Sequence, residues 1–335
     1  MTIRRCKPVW AALGLGFLSG CARVEDGQAS GAGEALHATH HALTVSSFDA
    51  VHRNALPGLT SGCDDRPSGI DRQLWGIEPD TAGTYPVFMY FVGWGGSHLF
   101  HTAQTVVQQM ASKGFVAATI GYTNAVTDAI DCIGTEWKAY CAFDRSLSGS
   151  AVSQLCSRPK ADCSKGIVVM GHSLGGGVAI VAKNYNSNVQ AVVSIGAAEQ
   201  PLLGSTECFR PFPSGQPPRA LPNSRHLALA GQVELFGMGP PALDVVTGLS
   251  CGTGFECAVN PAEPMPTAGW LRVPNARMTD GLAGHCYMLV GNAWSPLGYN
   301  DYCLSETLEP NWAPPAAYPW SLVPTLNWLK RFVTP

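Results

Sequence analysis

Charge is what this chain most lacks. Asp, Glu, Lys and Arg make up 13% of its 335 residues, about half the usual quarter. The 21 basic residues fall short of the 24 acidic ones, the net charge is −3, and no basic cluster stands out. That excludes an electrostatic nucleic-acid binder, which needs cations to neutralise phosphates. No apolar run reaches the roughly 20 residues of a membrane-spanning helix. No two cysteines form a C-x-x-C pair, which argues against zinc and redox motifs. No dinucleotide or P-loop spacing occurs, and Gly93-Trp94-Gly95-Gly96 does not supply one. No cofactor and no metal are therefore expected.

Turn-formers are plentiful. Gly 37 and Pro 25 still fall below the share that marks low-complexity chains. With 46% hydrophobic residues the chain is neither disordered nor collagen-like. One large domain of this length buries roughly 75% of its unfolded surface.

The N-terminus reads as an address. Arg4, Arg5 and Lys7 precede an apolar stretch over 9–17, too short to span a bilayer and right for a signal peptide. Leu18-Ser19-Gly20-Cys21 follows, and it resembles the bacterial lipoprotein box. The resemblance implies a lipid on Cys21, removal of 1–20, and, with Ala22 after the Cys, the outer membrane. Residues 21–43 are small and polar and read as a flexible tether. His37, His40 and His41 lie in it without companion ligands, and solvated linker is the better reading. The remaining domain is 44–335.

Ten cysteines remain beyond Cys6 and Cys21. An even count in an exported chain predicts disulfides. Proximity suggests Cys132–Cys141, Cys156–Cys163, Cys251–Cys257 and Cys286–Cys303, with Cys63–Cys208 left over.

Strands and helices alternate through the middle of the chain. Strands are predicted over 72–77, 86–92 (PVFMYFV), 115–120, 167–170, 189–195 and 227–230, with a weaker one at 270–273. Helices are predicted over 102–113, 174–184 and 322–333. The first of these has Ala103, Val106, Val107 and Met110 on one face and Gly114 as its cap. The pattern implies an α/β fold, a mainly parallel sheet with helices on both faces. Residues 125–165, 200–225, 236–268 and 287–318 read as long loops, stapled by disulfides.

Gly171-His172-Ser173-Leu174-Gly175 stands between a predicted strand and a predicted helix. That is the context of a nucleophile elbow, a tight turn presenting Ser173 above the sheet. Gly176 and Gly177 cost helix propensity, about 0.8–1.0 kcal/mol each, which close packing would explain. The run resembles the α/β-hydrolase superfamily, specifically serine esterases and lipases: bacterial lipases, cutinase-like polyester hydrolases and dienelactone-hydrolase-like esterases. It covers most of 70–335.

The resemblance implies a Ser, acid, His order and an acyl-enzyme route. Ser173 is the nucleophile. One oxyanion donor is the N–H of Leu174. The other follows the Gly after the 86–92 strand, and Val92 in place of the usual His or Pro leaves Trp94 or Gly95, with Trp94 preferred. His285, in Ala283-Gly284-His285, is the base; His226 opens a strand at the wrong end. The acid is Glu234, three residues after Gly231. Glu199 is the runner-up and Asp244 the third; Glu207, Glu256, Glu263 and Asp280 also lie in the interval. His172 reads as packing, and His98 and His101 as solvated loop histidines. Trp94, Tyr122, Phe236, Trp294 and Tyr299 are candidate apolar walls, although each taken singly is more often core than substrate contact. The expected partners are a small or polymeric ester and, through the lipid, a membrane, with the protein a monomer. The alternatives are a non-catalytic binding module on this fold, or a peptidase or acyltransferase using the same triad.

Overall fold

The computed structural model describes residues 43–55, 63–64, 73–124, 132–197, 219–234, 239–291, 303 and 305–334. The signal segment, Cys21, most of the tether, Glu199, Cys208, Phe236, Trp294 and Tyr299 lie outside them. The strands are β1 (Val45–Val51), β2 (Asn54–Ala55), β3 (Cys63–Asp64), β4 (Gln73–Pro79), β5 (Val87–Phe91), β6 (Val116–Ile120), β7 (Ile167–His172), β8 (Val189–Ile195), β9 (His226–Gly231), β10 (Glu256–Ala258) and β11 (Gly269–Val273). The helices are α1 (His101–Ala111), α2 (Cys132–Phe143), α3 (Ala151–Cys156), α4 (Leu174–Tyr185), α5 (Pro240–Thr247) and α6 (Leu322–Lys330).

Among the described residues, nine strands form one mixed sheet in the order β1-β4-β6-β5-β7-β8-β9-β11-β10, and β2 pairs with β3 apart from it. From β6 to β11 every pair is parallel; β1, β4 and β10 join antiparallel at the edges. Every residue of β5, β6 and β7 is buried, as expected of parallel strands covered on both faces. Burying each large apolar side chain here contributes about 1.5–3 kcal/mol. Helices α1 and α6 touch each other on one side; α2 and α4 do so on the other.

The chain reverses direction across the sheet between β5 and β7. After β5 it crosses through α1 to β6 on one side; after β7 it crosses through α4 to β8 on the other. Such a switch point opens a crevice at the strand C-termini. Close packing explains two of the α4 glycines: a Cβ on Gly175 would lie 2.3 Å from the Phe91 carbonyl oxygen and one on Gly176 2.5 Å from Ala197 Cβ, both impossible contacts.

The expected strands and helices are present with small shifts at their ends. Helix α1 stops at Ala111, and Gly114, at φ 90°, donates its N–H to Ala111 O at 2.9 Å. Four elements fall where loops were expected: α2 and α3 within 125–165, and α5 and β10 within 236–268. Strand β1 was not anticipated.

The disulfides seen are Cys63–Cys141, Cys156–Cys163, Cys251–Cys257 and Cys286–Cys303. The last three agree with expectation. Cys132–Cys141 does not form: both residues belong to α2, where nine residues rise about 13 Å along the axis, too far for a disulfide. Cys63–Cys208 falls with it, because Cys63 is bonded to Cys141.

Candidate active site

Ser173 is the single residue between β7 and α4. Its backbone sits at φ 53°, ψ −123°, the one non-glycine residue with positive φ among those described. Such a conformation costs about 1–3 kcal/mol and persists only where its surroundings enforce it. Here its N–H donates to Ile195 O at 2.7 Å, and its carbonyl accepts from the Gly177 N–H at 3.2 Å. The side chain makes no capping bond, and Ser173 is half-buried while His172 and Leu174 are buried. The N–H of Leu174 opens α4, in the first turn where no intrahelical acceptor exists and the helix dipole is positive.

The loop after β5 runs directly against this elbow. A Cβ on Gly93 would lie 2.9 Å from His172 Nδ1 and 3.0 Å from Ser173 Cβ, so position 93 admits no side chain. Gly96 turns the loop back by donating its N–H to Gly93 O at 3.0 Å. Between the two donors left open by the sequence, the N–H of Gly95 is committed to Asn124 O at 2.6 Å.

Glu234 follows β9 and His285 follows β11, and the fold brings them together. His285 Nδ1 lies 2.7 Å from Glu234 Oε1, with side chains 5% and 1% exposed. A carboxylate only accepts, so Nδ1 carries the proton and the imidazole lone pair lies on Nε2. Glu234 Oε2 is buried without a partner among the described residues. The carboxylate's hydrogen bonding is thus directed to His285, in a dry setting where such a bond is strong. The two loops are also tied by backbone, the Val233 N–H donating to Ala283 O at 3.0 Å.

The pair is seated on the elbow. His172 Nε2 donates to His285 O at 3.0 Å, and the two rings lie 4.7 Å apart. Burial, and then the neighbouring His285, push His172 down to about 3, so it stays neutral. On its far side Cys303 Sγ is 4.0 Å from His172 Nδ1, and the Cys286–Cys303 bridge pins the residue after His285. His172 therefore packs, as expected, but it also braces the histidine loop, which its place in the motif did not reveal.

Several expected residues are elsewhere. Asp244 is no member of this group: it is buried on α5, accepting from Trp270 Nε1 at 2.8 Å and the Gly252 N–H at 2.6 Å. His226 is buried at the N-terminal end of β9 against Ser194 Oγ at 2.8 Å. His98 is not solvated; it is 3% exposed, and burial lowers its pKa against the opposing pull of Asp49. Tyr122 is core, the commoner reading for such a residue, with its ring edge-on to Phe91. Asn124 was missed, because nothing in a lone Asn after a strand marks a role. Two side-chain groups with ligand-like spacing, His172/Cys286/Cys303 and Asp244/Cys251/Cys257, each contain a disulfide and so offer no thiolate.

A serine hydroxyl on a strained elbow, an imidazole aligned by a carboxylate and a helix N-terminus together make up the components of nucleophilic acyl transfer. No protein-family model matches this chain, and no curated protein matches it.

Proposed function

We propose that this protein is a serine hydrolase of the α/β-hydrolase type that cleaves carboxylic esters through an acyl-enzyme. The observation that carries the reading is the Glu234–His285 pair resting on His172, one residue from a serine at positive φ. In the proposed cycle Ser173 Oγ attacks the ester carbonyl and His285 Nε2 takes its proton. His285 then returns that proton to the leaving alcohol as the acyl-enzyme forms. Water, deprotonated by the same nitrogen, releases the acid and regenerates Ser173. Glu234 holds the tautomer and stabilises the imidazolium. The N–H groups of Trp94 and Leu174 face the oxyanion, where one such donor is worth about 2.7–4 kcal/mol. The position at a sheet switch point supports the reading.

We further propose an exported lipoprotein, anchored through Cys21 and processed after Gly20. The oxidised cysteines support export. Mass spectrometry of the mature N-terminus tests this: a diacylglyceryl-modified Cys21 is expected, and an unmodified chain starting elsewhere would refute it.

The hydrolase reading is tested with a fluorophosphonate probe, site mapping by mass spectrometry and a panel of esters. Label on Ser173, lost in Ser173→Ala together with turnover, is the expected result. Full ester hydrolysis by purified Ser173→Ala would sink the reading and leave a binding module as the better account.

A further inference from the structure

We propose that Asn124, aided by Tyr122, is a positioning residue that aims the Trp94 N–H at the substrate oxygen; the inference rests on the hydrolase reading above. Both residues follow β6, which lies beside β5 with Phe91 opposite Ile120. Asn124 is 6% exposed, and it braces the 93–96 loop three times. Its side-chain Nδ2 donates to Gly93 O at 2.8 Å and to Gly96 O at 2.8 Å. Its own carbonyl accepts from the Gly95 N–H at 2.6 Å. Tyr122 adds a fourth bond one residue earlier, its hydroxyl donating to Val92 O at 2.6 Å.

The orientation of the amide is forced, since both of its partners are carbonyls and can only accept. The consequence for Trp94 follows from peptide geometry. Gly93 C=O and Trp94 N–H belong to one planar, trans peptide and point in opposite directions. Fixing Gly93 O toward Asn124 therefore fixes the Trp94 N–H the other way. Gly96 holds the same oxygen from its own N–H at 3.0 Å. The elbow abuts this peptide at Gly93, so a small rotation of the plane would displace the donor relative to Ser173. A donor aimed before the reaction begins needs no reorganisation as charge develops, which is why such placement matters for rate more than for binding.

The test uses the full oxidised chain with p-nitrophenyl butyrate as substrate and an alkyl trifluoromethyl ketone as transition-state-like inhibitor. Asn124→Asp keeps the size and replaces the donors with an oxygen that opposes two carbonyls. Asn124→Ser removes the donors without adding charge. In each, kcat should fall at least about tenfold, with KM within about threefold and inhibitor affinity falling in step with kcat. Thermal melting shows whether each variant is folded. If neither folds, Tyr122→Phe decides, since it removes one hydroxyl and keeps the ring; kcat should drop several-fold with KM unchanged. A folded Asn124 variant, or failing that Tyr122→Phe, with kcat within twofold of wild type overturns the proposal. So does a loss carried by KM. Ser173→Ala in parallel separates the two readings: if it stays active, the hydrolase reading fails; if it is dead while the Asn124 variants are not, only the positioning role fails.

Discussion

At Ser173 the backbone conformation and the chemistry pull against each other. Any Cβ at φ 53° is strained, yet the hydroxyl requires one. Ser173→Gly removes both the strain and the hydroxyl, whereas Ser173→Ala removes the hydroxyl and keeps the strain. Both variants should be inactive, and Ser173→Gly should melt higher than Ser173→Ala by a few degrees, reflecting about 1–3 kcal/mol of strain offset in part by glycine's larger unfolded entropy. Equal melting temperatures would show that the elbow stores no strain. A second pair separates the carboxylates. Glu234→Gln should lower kcat by about 10³–10⁴-fold with little change in melting, because the imidazolium loses its charged partner. Asp244→Asn should do the reverse, weakening the bonds to Trp270 and Gly252 and lowering stability while kcat holds. Should Glu199→Gln collapse activity while Glu234→Gln does not, the acid is Glu199.

Among the elements, α2 shows how a helix can hide in a presumed loop. Helix α2 buries Thr135 and Lys138 alongside Ala139 and Ala142, so its inner face is not read from apolar spacing alone. Strand β1 has one buried side chain, Phe48, amid exposed and partly buried neighbours. Phe48 lies over Gly76 of β4, and Arg158 covers it at 3.4 Å. A single aromatic thus holds an edge strand that has almost no alternation to recognise. The disulfides rank by the chain they close. Cys63–Cys141 spans 78 residues and Cys251–Cys257 spans 6, so the chain-entropy view assigns about 4.5 and about 2 kcal/mol respectively. Paired Cys→Ala replacements, followed by denaturant unfolding, should show the larger loss for Cys63 and Cys141. The opposite order would mean that local strain or residual structure outweighs loop closure.

For the whole molecule, buried histidines set the acid limit. His172 is held down to about 3 by burial and by His285. His226 is lowered well below its ordinary value by burial and by the Arg219 cation, and His98 is lowered by burial. In the unfolded chain these groups take up protons near pH 6.5, while the folded chain keeps them off. The unfolded state therefore binds more protons below that pH, and stability is lost as pH falls from about 6.5 toward 3. Each histidine contributes a slope of about 1.4 kcal/mol per pH unit while the difference lasts. Urea unfolding between pH 7 and pH 4 should show this decline. His172→Gln, which can still donate to His285 O, should lower the slope by about one proton; an unchanged slope would place the sensitivity in other groups.

What the sequence determined by itself was local. The 86–92 run, the 167–170 run and the glycines after Ser173 announced buried strands and an elbow, because continuous apolar residues and crowded turns leave few other solutions. The resemblance of its motifs to a hydrolase family nominated Ser173, His285 and, ahead of Glu199 and Asp244, Glu234, and the structure does bring Glu234 and His285 to 2.7 Å. Distances between segments were another matter. Asp244 stood third among the candidate acids, and its buried bond to Trp270 is what removes it from the group. The partner of Cys141 is 78 residues away, chosen by how β3 and α2 meet and not by nearness along the chain. The bracing by Asn124 and His172 consists of bonds to backbone carbonyls. Every residue offers such a carbonyl, so only tertiary packing decides which ones a side chain will find.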